Sequence, residues 1–239
     1  MKSKVPVSVC PLLVLTVLLM CGAAGCGYQD AKRDLQKAHR VLGDPERSVE
    51  DLSSVRGRLR RIIDLKIQAV NRLEEVNRAL GHQYLIAESF NLAREVLEEA
   101  EYLKPYSAYV KKDLGECYYF LGTSTLDEQE KERHFERSLA YYNKALEIRP
   151  DLTEAHYGLG LLLYFAYKDV DGAIEEMKLV LDQDARDVDA RFALGRFYYE
   201  NGEYSKALGE YLEITRILPK NSPRRIKAED NILQINREL

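Results

Sequence analysis

Residues 187–219 read DVDARFALGRFYYENGEYSKALGEYLEITRILP. Apolar and small side chains recur here at helical spacing, in the order Leu194, Gly195, Tyr198, Gly202, Tyr204, Ala207, Tyr211 and Pro219. The pattern has a physical cause. Small residues sit where two paired helices cross closely, and large ones fill the space between them. Pro219 ends the second helix, because it lacks an N–H and its ring clashes with the preceding turn.

The same order recurs upstream as Leu80, Gly81, Tyr84, Phe90, Ala93, Leu97, Ala100 and Pro105. Gly81 and Gly115 are 34 residues apart. These residues at this period resemble the tetratricopeptide repeat, a helix-turn-helix unit of about 34 residues. A second unit opens at Leu114, Gly115 and Tyr118 and closes at Tyr142, Ala145 and Pro150, with about eleven extra residues around Thr123–Asp127. We read those as a loop or a prolonged helix end. A third, Leu159, Gly160, Ala173 and Met177, has one residue inserted near Val170 and Ala185 in place of proline. Asp151 and Glu154 form a pair of the capping-box type at its entry. Four repeats follow, at 74–107, 108–152, 153–187 and 188–221.

On the C-terminal side, Ser222-Pro223 reads as an N-cap with proline at the first helical position of a capping helix over 222–239. On the N-terminal side, Asp30–Leu42 and Ser48–Leu73 each carry helical spacing and are broken at Gly43-Asp44-Pro45. They predict a helical hairpin within 26–73, either a degenerate repeat or a cap. Its Arg56, Arg58, Arg60 and Arg61 would face anionic headgroups or form an ordinary solvated face with local ion pairs. The fold class expected is all-α, a right-handed tetratricopeptide superhelix or α-solenoid.

With 46% apolar and 31% charged residues, the chain is not of the disordered class. Its formal charge is -4, or -6 without a leader containing Lys2 and Lys4, which argues against nucleic acid as the main partner. Cys10, Cys21 and Cys26 lie near the start and Cys117 stands alone in the body, so a disulfide framework is excluded. Cys117 reads as a small buried helix residue.

Residues 1–25 combine Lys2 and Lys4, an apolar stretch from Val5 to Met20, and small residues before Cys26. That is the order of a secretory signal peptide. Ala23-Ala24-Gly25-Cys26 is similar to the lipobox of bacterial lipoproteins, with Ala23 where that family usually carries leucine. The resemblance implies cleavage before Cys26, its lipidation, and a body on the extracytoplasmic side of an inner or outer membrane. The competing reading, an uncleaved membrane helix, is disfavoured by Pro6, Pro11 and the glycine-rich end.

In the repeat family the first helix of each pair lines the concave face. Carried onto this chain, the groove would take Arg78, His82, Leu85 and Ile86 from the first repeat. The second would give Tyr109, Lys112, Glu116, Tyr119 and Phe120, and the third Glu154, Tyr157, Leu161, Tyr164 and Phe165. Asp189, Phe192, Arg196 and Tyr199 complete it. Aromatic residues of this kind supply rigid contact area at low entropic cost. Glu116 and Leu161 stand where carboxylate-clamping relatives carry asparagine, so such a clamp is not expected.

His39, His82, His134 and His156 are scattered, with no metal-ligand or phosphate-loop pattern, and Asp169-Val170-Asp171-Gly172 reads as an interhelical turn. The expectation is a protein with no enzymatic activity, cofactor or metal. It is a membrane-anchored interaction scaffold in a bacterial envelope assembly, with an envelope protein or peptide on its concave face. The alternative is a module for a small hydrophobic ligand, similar to treponemal repeat lipoproteins associated with transport systems.

Overall fold

A computed structural model describes residues 29–238. The expected leader and Cys26 lie outside the described residues. Among those described, the regular structure is helical throughout, and no helix is long and apolar enough to cross a membrane. The chain divides into two compact units, one up to Arg72 and one from Leu73.

In the first unit, helix α1 (29–42) and the start of helix α2 (Val49–Ile86) form the expected hairpin. Ser48 and Asp51 cap α2 reciprocally: the Ser48 hydroxyl accepts from the Asp51 amide at 3.1 Å, and the Asp51 carboxylate accepts from the Ser48 amide at 3.0 Å. Ala38 and Val55 are buried. Asp34 accepts from Arg58 at 2.7 Å and Arg61 at 3.0 Å, so two of the four clustered arginines serve local ion pairs. The compact units divide within one residue of the expected boundary at 73/74, but helix α2 runs through it without a break. Between Gly57 and Gly81 no glycine or proline interrupts the sequence, and nothing in that stretch can stop a helix.

The second unit is a row of helical hairpins. The end of α2 pairs with α3 (Phe90–Leu103), α4 (Ala108–Ser124) with α5 (Glu128–Ile148), and α6 (Thr153–Leu162) with α7 (Val170–Gln183). Then α8 (Val188–Glu200) pairs with α9 (Tyr204–Ile217), and α10 (Pro223–Ile235) closes the row. One contact recurs in every pair. A Cβ added to Gly81 would lie 2.7 Å from Leu97, to Gly115 2.9 Å from Tyr142, to Gly160 2.7 Å from Met177, and to Gly195 2.9 Å from Tyr211. Each glycine therefore admits one large side chain of the facing helix. One turn before that side chain stands Ala93, Ser138, Ala173 or Ala207, all fully buried. Ser138 keeps its hydroxyl satisfied by donating to the Gly115 carbonyl at 2.7 Å.

The irregular repeats are accommodated locally. The extra residues of the second lengthen α4 to Ser124 and start α5 early, with Asp127 accepting from the Glu130 amide at 2.8 Å as its N-cap. Asp127→Ala is expected to lower stability by about 1 kcal/mol in a denaturant titration, the usual cost of losing such a cap. The inserted residue of the third is absorbed by a π-helical turn, Leu163–Tyr167, ended by Lys168 in the left-handed region at φ 58. Asp169 then caps α7 by accepting from the Gly172 amide at 3.0 Å.

One local signal acts differently than expected, and one repeat end forms without its usual proline. Asp151 does not cap α6: its carboxylate accepts from Arg149 at 3.2 Å, and the N-cap position falls to Leu152. Helix α7 ends with Asp184 as its C-cap and no proline after it, at φ -131 and ψ 92, near the backbone angles of Lys104 (φ -137, ψ 77) and Arg149 (φ -140, ψ 89) before their prolines.

Candidate binding groove

The first helices of the pairs, α4, α6 and α8, present two clefts that meet at Tyr157, Leu161 and Asp189. The first, about 500 Å³, has Lys112, Glu116, Tyr119 and Phe120 of α4 on one side, with Thr153 and Glu154 of α6 opposite. The second, about 640 Å³, has Phe165, Phe192, Arg196 and Tyr199 as its walls. Its far side is α10, through Arg224, Lys227, Asn231 and Gln234. The α10 contribution is missing from the groove expected on sequence. Its signal was available, because positions 224, 227, 231 and 234 are all polar and recur at helical spacing.

Most expected groove residues come together here, namely Lys112, Tyr119, Phe120, Tyr157, Phe165, Phe192, Arg196 and Tyr199. Tyr164 does not. It is 5% exposed, with its ring stacked on Phe197 at 4.1 Å. Residues 163–167 form the π turn, and across it Phe165, four residues beyond Leu161, continues the groove wall while Tyr164 turns into the core. Tyr109 is also outside both clefts. The Arg78 and Arg149 guanidinium groups lie over its ring, at 5.0 and 5.2 Å, and its hydroxyl accepts from Arg149. The first repeat adds nothing to either cleft: Leu85 is buried in the core, Ile86 is exposed elsewhere, and Arg78 and His82 are engaged with Asp113.

Asp113 anchors a charged cluster behind the first cleft. Its carboxylate is fully buried and accepts from Arg78 Nε at 2.6 Å, with Lys112 Nζ at 2.6 Å and His82 Nε2 at 3.2 Å. Burial alone would raise its pKa. The His82 hydrogen bond and the Lys112 and Arg78 charges outweigh that and hold it down at about 2. Burial pulls Lys112 downward, but the Asp113 and Glu116 carboxylates more than compensate and keep its ammonium charged. His82, Asp113 and Glu116 each offer a ligand atom within 4.8 Å of the others. The Lys112 ammonium, 2.6 Å from Asp113 and 3.3 Å from Glu116, already supplies the positive charge a metal would bring there.

Neither cleft is lined by a cysteine or a histidine. Cys117 is buried, its thiol pushed up to about 12 by desolvation and placed 3.5 Å from the Phe90 carbonyl, so it stays protonated. Aromatic walls, a charged rim and access from solvent suit an extended or helical segment of polypeptide.

Family profiles described as tetratricopeptide repeat match residues 164–228 and 125–187. Residues 125–228 are tetratricopeptide repeats. In curated sequences it is similar to the protein CTR9 homolog of Arabidopsis thaliana, with 28% identity over 149 residues. That match covers 59% of this chain and spans only 14% of the plant protein. Among solved structures, a thermophilic TPR protein of Thermus thermophilus superposes with a TM-score of 0.62 at 19% identity, over 85% of this chain and 99% of its own. A human IFIT1 dimer with PPP-AAAA gives 0.61 at 20% identity, over 85% of this chain and 46% of its own. MamA from Desulfovibrio magneticus RS-1 gives 0.55 at 19%, over 70% and 85%. At these identities the likeness shows the fold, an α-solenoid of TPR hairpins. Repeats of this class serve as protein-interaction scaffolds.

Proposed function

We propose that this TPR protein is a non-catalytic, lipid-anchored scaffold that holds a segment of another envelope protein in the groove formed by α4, α6, α8 and α10. The observation that carries the reading is the continuous row of aromatic side chains through both clefts, Tyr119, Phe120, Tyr157, Phe165, Phe192 and Tyr199, bordered by charged groups. Large aromatic side chains beside arginine are the residues that most often dominate binding energy at interfaces. A module for a small apolar ligand is less well supported. Glu154, Asp187, Arg196 and Arg224 border the clefts, and Tyr164, which would have lined an apolar channel, is in the core.

The anchor rests on the sequence Ala23-Ala24-Gly25-Cys26. Two or more acyl chains on Cys26 would give stable attachment, since each buried methylene contributes about 0.8 kcal/mol. It would hold the body on the extracytoplasmic side of its membrane. Cells grown with labelled palmitate should label the protein, and Cys26→Ala should abolish the label. Label that survives this change refutes the anchor and leaves the scaffold reading intact. For the scaffold, a photo-crosslinking amino acid at position 157 should capture a protein in intact cells. Purified protein that instead carries a bound lipid or metabolite, with no crosslinked partner, overturns it.

A further inference from the structure

The two clefts differ in charge. In the first, a single lysine faces the carboxylates Glu116, Glu154, Asp187 and Asp189, and that lysine is already engaged between Asp113 and Glu116. Glu154 lies on the α6 side of that cleft. In the second, Arg196, Arg224 and Lys227 meet only Asp189 and Glu200. Arg224 is paired with Asp189 and Arg196 with Glu200, which leaves Lys227 with no ion-pair partner among the described residues. The acidic end is faced by Tyr119, Phe120 and Tyr157, whose ring faces favour a cation. At the basic end the Arg196 guanidinium lies 5.1 Å over Phe165 and that of Arg224 lies 5.6 Å over Phe192.

We infer that the partner segment is dipolar, with a lysine or arginine side chain seated between α4 and α6 and a carboxylate seated between α8 and α10. This rests on the groove reading above and adds the chemistry and polarity of the occupant. The reverse arrangement would place like charges together at both ends, which disfavours it. The two seats lie one or two helix spacings apart, about 10–20 Å. An extended chain covers that distance in about three to six residues.

The test uses the full chain, immobilised, and a library of random linear peptides displayed on phage. Enriched sequences should pair a basic with an acidic residue at about that separation. For a fluorescein-labelled peptide of the enriched sequence, Glu154→Gln with Asp187→Asn should weaken binding about tenfold at low salt, and Lys227→Glu should do the same. Asp187 caps α8 by accepting from the Ala190 amide at 2.8 Å, and asparagine at 187 preserves that cap, so thermal unfolding should barely move. Glu154→Lys should recover affinity for a peptide whose basic residue is replaced by glutamate. Enrichment of uncharged sequences, no enrichment at all, or affinity insensitive to these changes overturns the inference. Tyr157→Ala separates the two levels. If it weakens binding while the charge variants do not, the groove stands and the dipolar occupant falls. If it too has no effect on a bound peptide, the groove reading itself fails.

Discussion

Replacing Asp113 with alanine is expected to destabilise the repeat array by about 3–5 kcal/mol, the usual cost of removing one partner from a buried charge cluster. The carboxylate is fully buried and gathers Arg78 and His82 from α2 and Lys112 from its own helix. Without it, three cationic or protonatable groups converge on a site that has lost its counter-charge. Lys112 retains Glu116 at 3.3 Å, and Arg78 keeps Glu74 at 3.7 Å and the Tyr109 ring at 5.0 Å. Chemical denaturation at neutral pH measures the loss, and a change under about 1 kcal/mol would show that the cluster is neutral to stability. The effect has a defined pH dependence. Asp113 titrates at about 2 in the folded protein, below its ordinary 3.8, so it contributes stability above its unfolded pKa and loses it as pH falls through the folded one. The depression corresponds to about 2 kcal/mol. The gap between the parent and Asp113→Ala should therefore be full at pH 5 and above, and should narrow by about that amount as the pH approaches 2.

Two phenylalanines of α8 should separate packing from binding. Phe197 is 1% exposed and stacks on Tyr164 at 4.1 Å, between the third and fourth repeats. Phe197→Ala should cost about 3–5 kcal/mol, combining lost transfer energy with the cavity left behind. Phe192 packs at 6.0 Å from the Tyr211 ring on one side and lines the second cleft on the other. Being only partly buried, it should cost less on truncation, about 1–2 kcal/mol. A partner segment should nonetheless bind Phe192→Ala at least about tenfold more weakly. Melting curves and binding isotherms for both variants, taken below their unfolding temperatures, give the comparison. Equal stability losses would mean that Phe192 is core and not groove.

Much of this architecture is legible in the chain before any folding is considered. The alternation of Gly81, Gly115, Gly160 and Gly195 with Leu97, Tyr142, Met177 and Tyr211 is a local record of how closely two helices must approach. Side-chain volumes and spacing are enough to recover it. The one-residue insertion in the third repeat was equally visible, since Gly160 and Met177 are one residue further apart than Gly195 and Tyr211. Its structural form was not. A π turn and a loop are alternative ways to hold one extra residue, and the choice depends on the neighbouring helices that confine it.

The same limit explains the errors in the groove. Tyr157, Leu161 and Phe165 recur every four residues, and their shared face follows from helical geometry. Whether Tyr164 belongs to that face depended on the π turn and on Phe197, a side chain distant in sequence that offers it a stacking surface. The continuity of α2 from the N-terminal hairpin into the first repeat follows from the absence of a helix stop between Gly57 and Gly81, a signal present in the chain itself. The role of α10 could not be read in full. Ser222-Pro223 marks it as a capping helix over the last repeat and its polar positions recur at helical spacing, but only packing brings Lys227 and Arg224 to the cleft that Arg196 and Phe192 line. Repeat register, helix count and the crossing positions are thus written in the chain, because they depend on volumes at fixed local spacing. The charge of each cleft and the choice between core and groove for each aromatic belong to the folded molecule, because they depend on which helices pack side by side.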